Sequence, residues 1–267
     1  MATGEDLAAR ALAVLAAPEP ADKVTLSRRL AADWRAASVP PPSRPLVPDR
    51  PARPARPELV PPHALPKRKT GAGVAGRAAL LHAIAHIELN AIDLAWDIVA
   101  RFAGHDLPRG FADDWVTVAA EEAEHFTLLS DRLAALGAAY GELPAHDGLW
   151  QAAQRTSHDV LARLAVVPLV LEARGLDVTP AMIERLERAG DHASAAVLQR
   201  IYADEVGHVA AGMRWFAHVC AARGHDPATT WQDLVHRSAT GAPRPPFNLP
   251  ARDRAGMPQA FYLDRAR

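Results

Sequence analysis

From Gly76 onward, apolar residues recur every three or four positions over long stretches, and this periodicity predicts four long helices near 74–104, 112–138, 150–175 and 191–220. Strand signals are almost absent. Gly104, Pro108, Gly137, Pro144, the Asp147-Gly148 pair and Gly190 fall between these segments or at their ends, where helix stops and turns belong. Thr179-Pro180 reads as the start of a separate short helix, with Thr as the cap and Pro in the first position. Upstream, residues 5–37 are rich in Ala and Leu with Pro18 and Pro20 in the middle, which predicts two short helices. Residues 40–66 hold eleven prolines interleaved with Arg44, Arg50, Arg53 and Arg56, a composition that excludes helix and favours extended polyproline geometry. A flexible linker and a strap laid across the helices both fit that composition. The predicted organisation is an N-terminal helical extension (1–39), a Pro/Arg-rich strap or linker (40–73), a helical bundle (74–222) and a C-terminal tail packed on it (223–267). The class is all-α: a ferritin-like four-helix bundle with an N-terminal helical pair and a Pro-rich strap.

Each long helix carries a Glu inside its apolar stripe. Glu88 shares a face with Leu81, Ile84, Ala85, Ile92 and Ala95, and Glu122 lies among Trp115, Val118, Ala119, Phe126 and Leu129. Glu172 follows Leu161, Leu164, Ala165 and Leu169, and Glu205 sits among Leu198, Ile201, Tyr202 and Val209. Two of the four are followed by a histidine three residues later on the same face, His125 and His208. An ionised carboxylate in an apolar core must be protonated, paired with a cation or bound to metal. One Glu-x-x-His alone is more often a core hydrogen bond. The full set matches the dinuclear carboxylate layout, with a Glu from each of two helices and Glu-x-x-His from each of the other two. The predicted metal ligands are therefore Glu88, Glu122, His125, Glu172, Glu205 and His208.

Neighbouring residues refine that expectation. Glu121 and Asp204 precede the two Glu-x-x-His ligands, and either could orient a ligand imidazole through its second nitrogen. Pro168, four residues before Glu172, should free a carbonyl and bend the third helix, aiming Glu172. Tyr202 is a candidate pocket hydroxyl, with a satisfied core tyrosine as the plainer reading. His82 and His86, on another face from Glu88, are set outside the ligand group.

Composition narrows the chemistry. The 30 Lys plus Arg and 31 Asp plus Glu nearly cancel, so no global charge draws the chain to nucleic acid or to a membrane surface. The single cysteine, Cys220, forms neither an internal disulfide nor a thiolate cage, so the chain is expected in the cytoplasm with a His/carboxylate metal site. No basic-flanked apolar leader opens the sequence, and no membrane span is expected.

With these residues in view, the sequence resembles the bacterial ferritin-like family catalogued as domain of unknown function 455. The resemblance runs through RPARPARPELVPP, HAIAHIELNAIDLAWDIVARF, AAEEAEHFTLL, RLAVVPLVLEARGLDVTP, IYADEVGHVAAGMRWF and PPFNLPARDRAGM. It implies a ferritin-like fold and a dinuclear site. More remotely, LEARGLDV and the ligand order look like those of the di-iron tRNA-modifying hydroxylase, although no basic excess accompanies them here and its substrate is not carried over.

The function expected is a di-iron carboxylate oxidase or hydroxylase that uses dioxygen on a small organic substrate, served by an electron donor. Two iron ions are the expected cofactor, with manganese, or a mixed pair, as the alternative the same ligands accept. The rival readings are a ferroxidase or iron-handling protein without organic substrate, and a di-manganese catalase-like enzyme. Homodimerisation through a helix face is the default assembly.

Overall fold

The computed structural model describes residues 5–66, 73–238 and 240–263, so the outer ends of the expected extension and tail, residues 67–72 of the expected strap and residue 239 lie outside the described residues. Those described are helical throughout, apart from connections and one isolated bridge, and divide into two compact units, Met1–Trp150 and Gln151–Arg267.

In the first unit the expected short pair is present as α1 (Leu7–Ala16) and α2 (Pro20–Arg35). Asp6 caps α1 by accepting from the Ala9 N–H, and Pro20 opens α2 where its missing N–H is harmless. Two long helices follow, α3 (Val74–Phe102) and α4 (Arg109–Ala135), joined by a short connection and packed on each other. α1 lies on α3 and α2 on α4, while the Trp96 indole donates to Ser27 and the Trp34 indole to Asp113. By length and composition α3 could cross a membrane, an apolarity the sequence reading had not found; 78% of its most apolar window is buried within the protein, as befits a core helix.

The proline-rich segment is an ordered strap. It cannot form ladders of its own, so its backbone and arginines are satisfied by the elements beneath it. The Leu7 N–H donates to the Pro40 carbonyl and the Ala52 N–H to the Leu15 carbonyl. Leu59 and Ala145 form a parallel bridge, which ties the strap to the connection after α4. Arg50 pairs with Asp147, and Arg44 donates to the Gly104 carbonyl. Gly104 is needed there, because a Cβ would lie 2.3 Å from the Ser43 carbonyl oxygen of the strap.

The strap and α2 also neutralise acids on the back of α3. Asp93 is fully buried and meets Lys23 at 2.6 Å and Arg53 at 2.9 Å, and Arg53 donates to Asn90 as well. Burial lowers the Lys23 pKa against the pull of Asp93, and burial likewise raises the Asp93 pKa against its two cations. Removing Asp93 would leave the buried Lys23 ammonium without its countercharge.

The second unit corrects two details of the helix reading. The third predicted helix is not continuous. α5 (Gly148–Arg155) ends in a turn, Asp159 caps α6 (Val160–Val166), and residues Val167–Glu172 form a π-turn that runs into α7 (Ala173–Arg188). The signal for the break was Asp159, whose carboxylate accepts from the Leu161 and Ala162 N–H groups. Thr179-Pro180 starts no new helix, since α7 runs through it. Pro180 cannot donate to the Leu176 carbonyl, and Asn248 Nδ2 does so instead at 3.0 Å. α8 (His192–Ala222) packs on α7, and α9 (Pro227–Arg237) and α10 (Leu249–Arg254) complete the unit. The C-terminal residues are fastened through Arg252, which is fully buried, bonded to Asp177 at 2.7 Å and set against the rings of Phe247 and Tyr262.

Candidate metal centre

In the first unit the predicted ligands Glu88, Glu122 and His125 come together. Glu88 stands mid-way along α3 and the other two project from α4, all buried, with Glu122 and His125 fully so. His125 Nδ1 is 3.3 Å from Glu88 Oε2 and 3.4 Å from Glu122 Oε2. Each of the three offers a ligand atom within 4.8 Å of the others. Metal–ligand bonds of roughly 2.1 Å place neighbouring ligand atoms about 3.0–3.4 Å apart, so the separations suit a common ion. The electrostatics agree. Burial, then the neighbouring Glu122 carboxylate, pushes Glu88 well above the usual carboxylate range. Burial opposes a charge on His125, but the carboxylates of Glu122 and Glu88 outweigh it and raise that imidazole to about 11. Without a cation the cluster gathers protons, and a divalent ion bound to two carboxylates and a neutral imidazole would take their place.

The second unit repeats the pattern on a looser support. Glu205 and His208 follow one another on α8, with Glu205 Oε1 3.8 Å from His208 Nδ1. His208 is buried and Glu205 half-buried. Glu172 is the last residue of the π-turn, also half-buried, and Pro168 stands within that turn, where the sequence placed a bend. The opening is accommodated from α8, where a Cβ on Gly212 would come within 2.6 Å of the Pro168 ring. The Trp231 indole donates to the Ala165 carbonyl just before the turn.

The flanking candidates fall as follows. Asp204 pairs with Arg200 at 2.8 Å, and Glu121 is half-buried beside Glu122. Tyr202 is half-buried, and its hydroxyl accepts from Asn248 Nδ2 at 2.9 Å. His82 and His86 act on the connection after α4. His82 Nε2 accepts from the Gly141 N–H at 2.9 Å, and His86 bridges the Tyr140 hydroxyl and the His146 carbonyl. Burial lowers the His86 pKa to about 4, so it is neutral. They border a cavity of about 340 Å³ with Ala79, Ile87, Leu143 and His146, on a different face of α3 from Glu88. Sequence reasoning missed the Lys23–Asp93–Arg53 group and the partners of Asn248. Asn90, Asp93 and Asp97 inside an apolar helix were the signal for the first, and nothing local announces the second.

The family described as protein of unknown function (DUF455) matches residues 16–263, nearly the whole chain. The chain belongs to the DUF455 family. An uncharacterized protein of Haemophilus influenzae is 44% identical over 208 residues, which cover 76% of this chain and 72% of the relative. No solved structure matches. In this DUF455 protein the buried Glu88, Glu122 and His125 form a group that could hold a metal ion.

Proposed function

We propose that the protein is a ferritin-like, non-haem dinuclear-metal carboxylate protein of the cytoplasm, an oxidase or hydroxylase that uses two iron ions and dioxygen on a small organic substrate. The observation that carries the reading is the Glu88–Glu122–His125 group, two carboxylates and an imidazole gathered in a dry core at ligand-like spacing. The order Glu, then Glu-x-x-His on the next long helix, recurs as Glu172 and Glu205/His208. The joining of the two sets into one centre rests on that order.

The ions would supply one-electron redox steps and a place for dioxygen to bind. The chain's own residues do the rest. Glu88, Glu122, Glu172 and Glu205 balance the positive charge, His125 and His208 contribute neutral nitrogen donors, and Glu121 and Asp204 are candidates for orienting them. Trp115, Ala119, Phe126 and Leu129 on α4 and Leu81, Ala85 and Ile92 on α3 keep water from the first set. The same donors accept manganese, which would support catalase-like chemistry instead.

The test is anaerobic ferrous titration of the metal-free chain. About two tight equivalents are expected, with binding lost in both Glu122→Ala and Glu205→Ala. Absence of tight binding, or retention of both ions in either variant, would overturn the assignment. With two ions in place, dioxygen consumption on adding candidate substrates separates an oxidase from a ferroxidase.

A further inference from the structure

We infer that Asn248 is a positioning residue for the metal ligands of the second unit, an inference that rests on the dinuclear reading above. Three side-chain hydrogen bonds tie it to α7, α8 and α10. Nδ2 donates to the Leu176 carbonyl at 3.0 Å and to the Tyr202 hydroxyl at 2.9 Å, while Oδ1 accepts from the Ala251 N–H at 3.3 Å and so caps α10. Its backbone N–H donates to Asp177 Oδ1 at 2.9 Å, the carboxylate that also holds Arg252.

The two Nδ2 partners define the role. Leu176 is four residues after Glu172, one helical turn along α7, and Tyr202 is three residues before Glu205, one turn along α8. One amide therefore spans the two helices a single turn from each of their carboxylates. The Leu176 carbonyl is available because Pro180 removes the N–H that would have taken it. Glu172 closes a π-turn, whose backbone does not by itself fix where the next helix begins. The tail supplies that constraint.

The Leu176 carbonyl can be satisfied only by a donor. Aspartate has the same shape, keeps the cap on Ala251 and can accept from the Tyr202 hydroxyl, but it offers no donor and sets oxygen against oxygen at Leu176. Asn248→Asp thus cuts the span at its Leu176 end with almost no change in volume. Tyr202→Phe removes half of it and leaves the Leu176 bond and the cap in place.

The experiment compares wild type, Asn248→Asp and Tyr202→Phe by anaerobic ferrous titration, by cobalt(II) loading followed through the visible ligand-field bands, and by helical circular dichroism. In Asn248→Asp one of the two ions should bind about tenfold more weakly and the cobalt bands of that ion should shift, with helicity retained. Tyr202→Phe, which cuts the other end of the span, should move both readouts in the same direction. Wild-type affinity and unchanged bands in Asn248→Asp would overturn the inference and reduce Asn248 to an anchor for the tail. Should Asn248→Asp fail to fold, Tyr202→Phe decides, and unchanged cobalt bands in it overturn the inference. A wild-type chain that binds no metal would instead sink the dinuclear reading, and this inference with it.

Discussion

Glu88 and Glu172 hold the same place in the two proposed ligand sets, each the single proposed ligand in the stretch before a Glu-x-x-His helix, yet their supports differ. Glu88 lies 3% exposed within an unbroken 29-residue helix, backed by the Lys23–Asp93–Arg53 group and the strap. Glu172 is half-buried at the end of a π-turn, and the helix after it is steadied by Asn248 and Arg252 from the C-terminal tail. The first set is built for fixed geometry in a dry wall. The second combines partial exposure with irregular backbone, and a carboxylate so placed can change its mode of binding with little disturbance to its neighbours. The contrast is one of support, a regular buried helix for Glu88 and an irregular, partly exposed turn for Glu172.

The comparison can be broken most forcefully behind the first set. Lys23→Ala takes away one of the two cations of buried Asp93, and a loss of about 3–5 kcal/mol is expected in chemical denaturation. A loss below about 1 kcal/mol would show that Arg53 alone neutralises Asp93 and that the backing is softer than described. Next is Gly212→Ala, whose Cβ must displace the Pro168 ring or the turn that carries it. Destabilisation of about 1–3 kcal/mol is expected, together with weaker ferrous binding, and binding untouched by that strain would uncouple the π-turn from Glu172. A smaller effect of opposite sign should follow from Glu88→Gln. In the metal-free chain at pH 8 it removes one of two neighbouring buried acids, so the free energy of unfolding should rise by about 1 kcal/mol while metal binding is lost. Glu172→Gln, at its half-buried position, should leave metal-free stability within about 0.5 kcal/mol. Equal shifts for the two would erase the distinction between the sets.

The sequence made much of this visible because helical periodicity and misplaced acids are local signals. Glu88, Glu122 and Glu205 stand in apolar stripes whatever the chain does elsewhere, and Pro168 announced the irregular turn it occupies. What escaped is tertiary. Pro180 reads as a helix start when the carbonyl it frees has no known partner, and that partner is Asn248, 72 residues from Leu176. The break before α6 was missed because the apolar pattern resumes at Val160 almost in phase, masking the cap at Asp159. The proline-rich segment showed what it could not form. Its docking depended on Asp93, Ala145 and Asp147, which no composition identifies as its partners.

The parallel bridge between Leu59 and Ala145 also bears on how the protein is made. Synthesis runs from the N-terminus, so the strap leaves the ribosome before the residues that hold it exist. Lys23 and Arg53 emerge as solvated cations well ahead of Asp93, and the strap finds its last partners only once the connection after α4 is complete. Residues of the strap thus settle only after later-made ones exist, and the long helices between them can pair first.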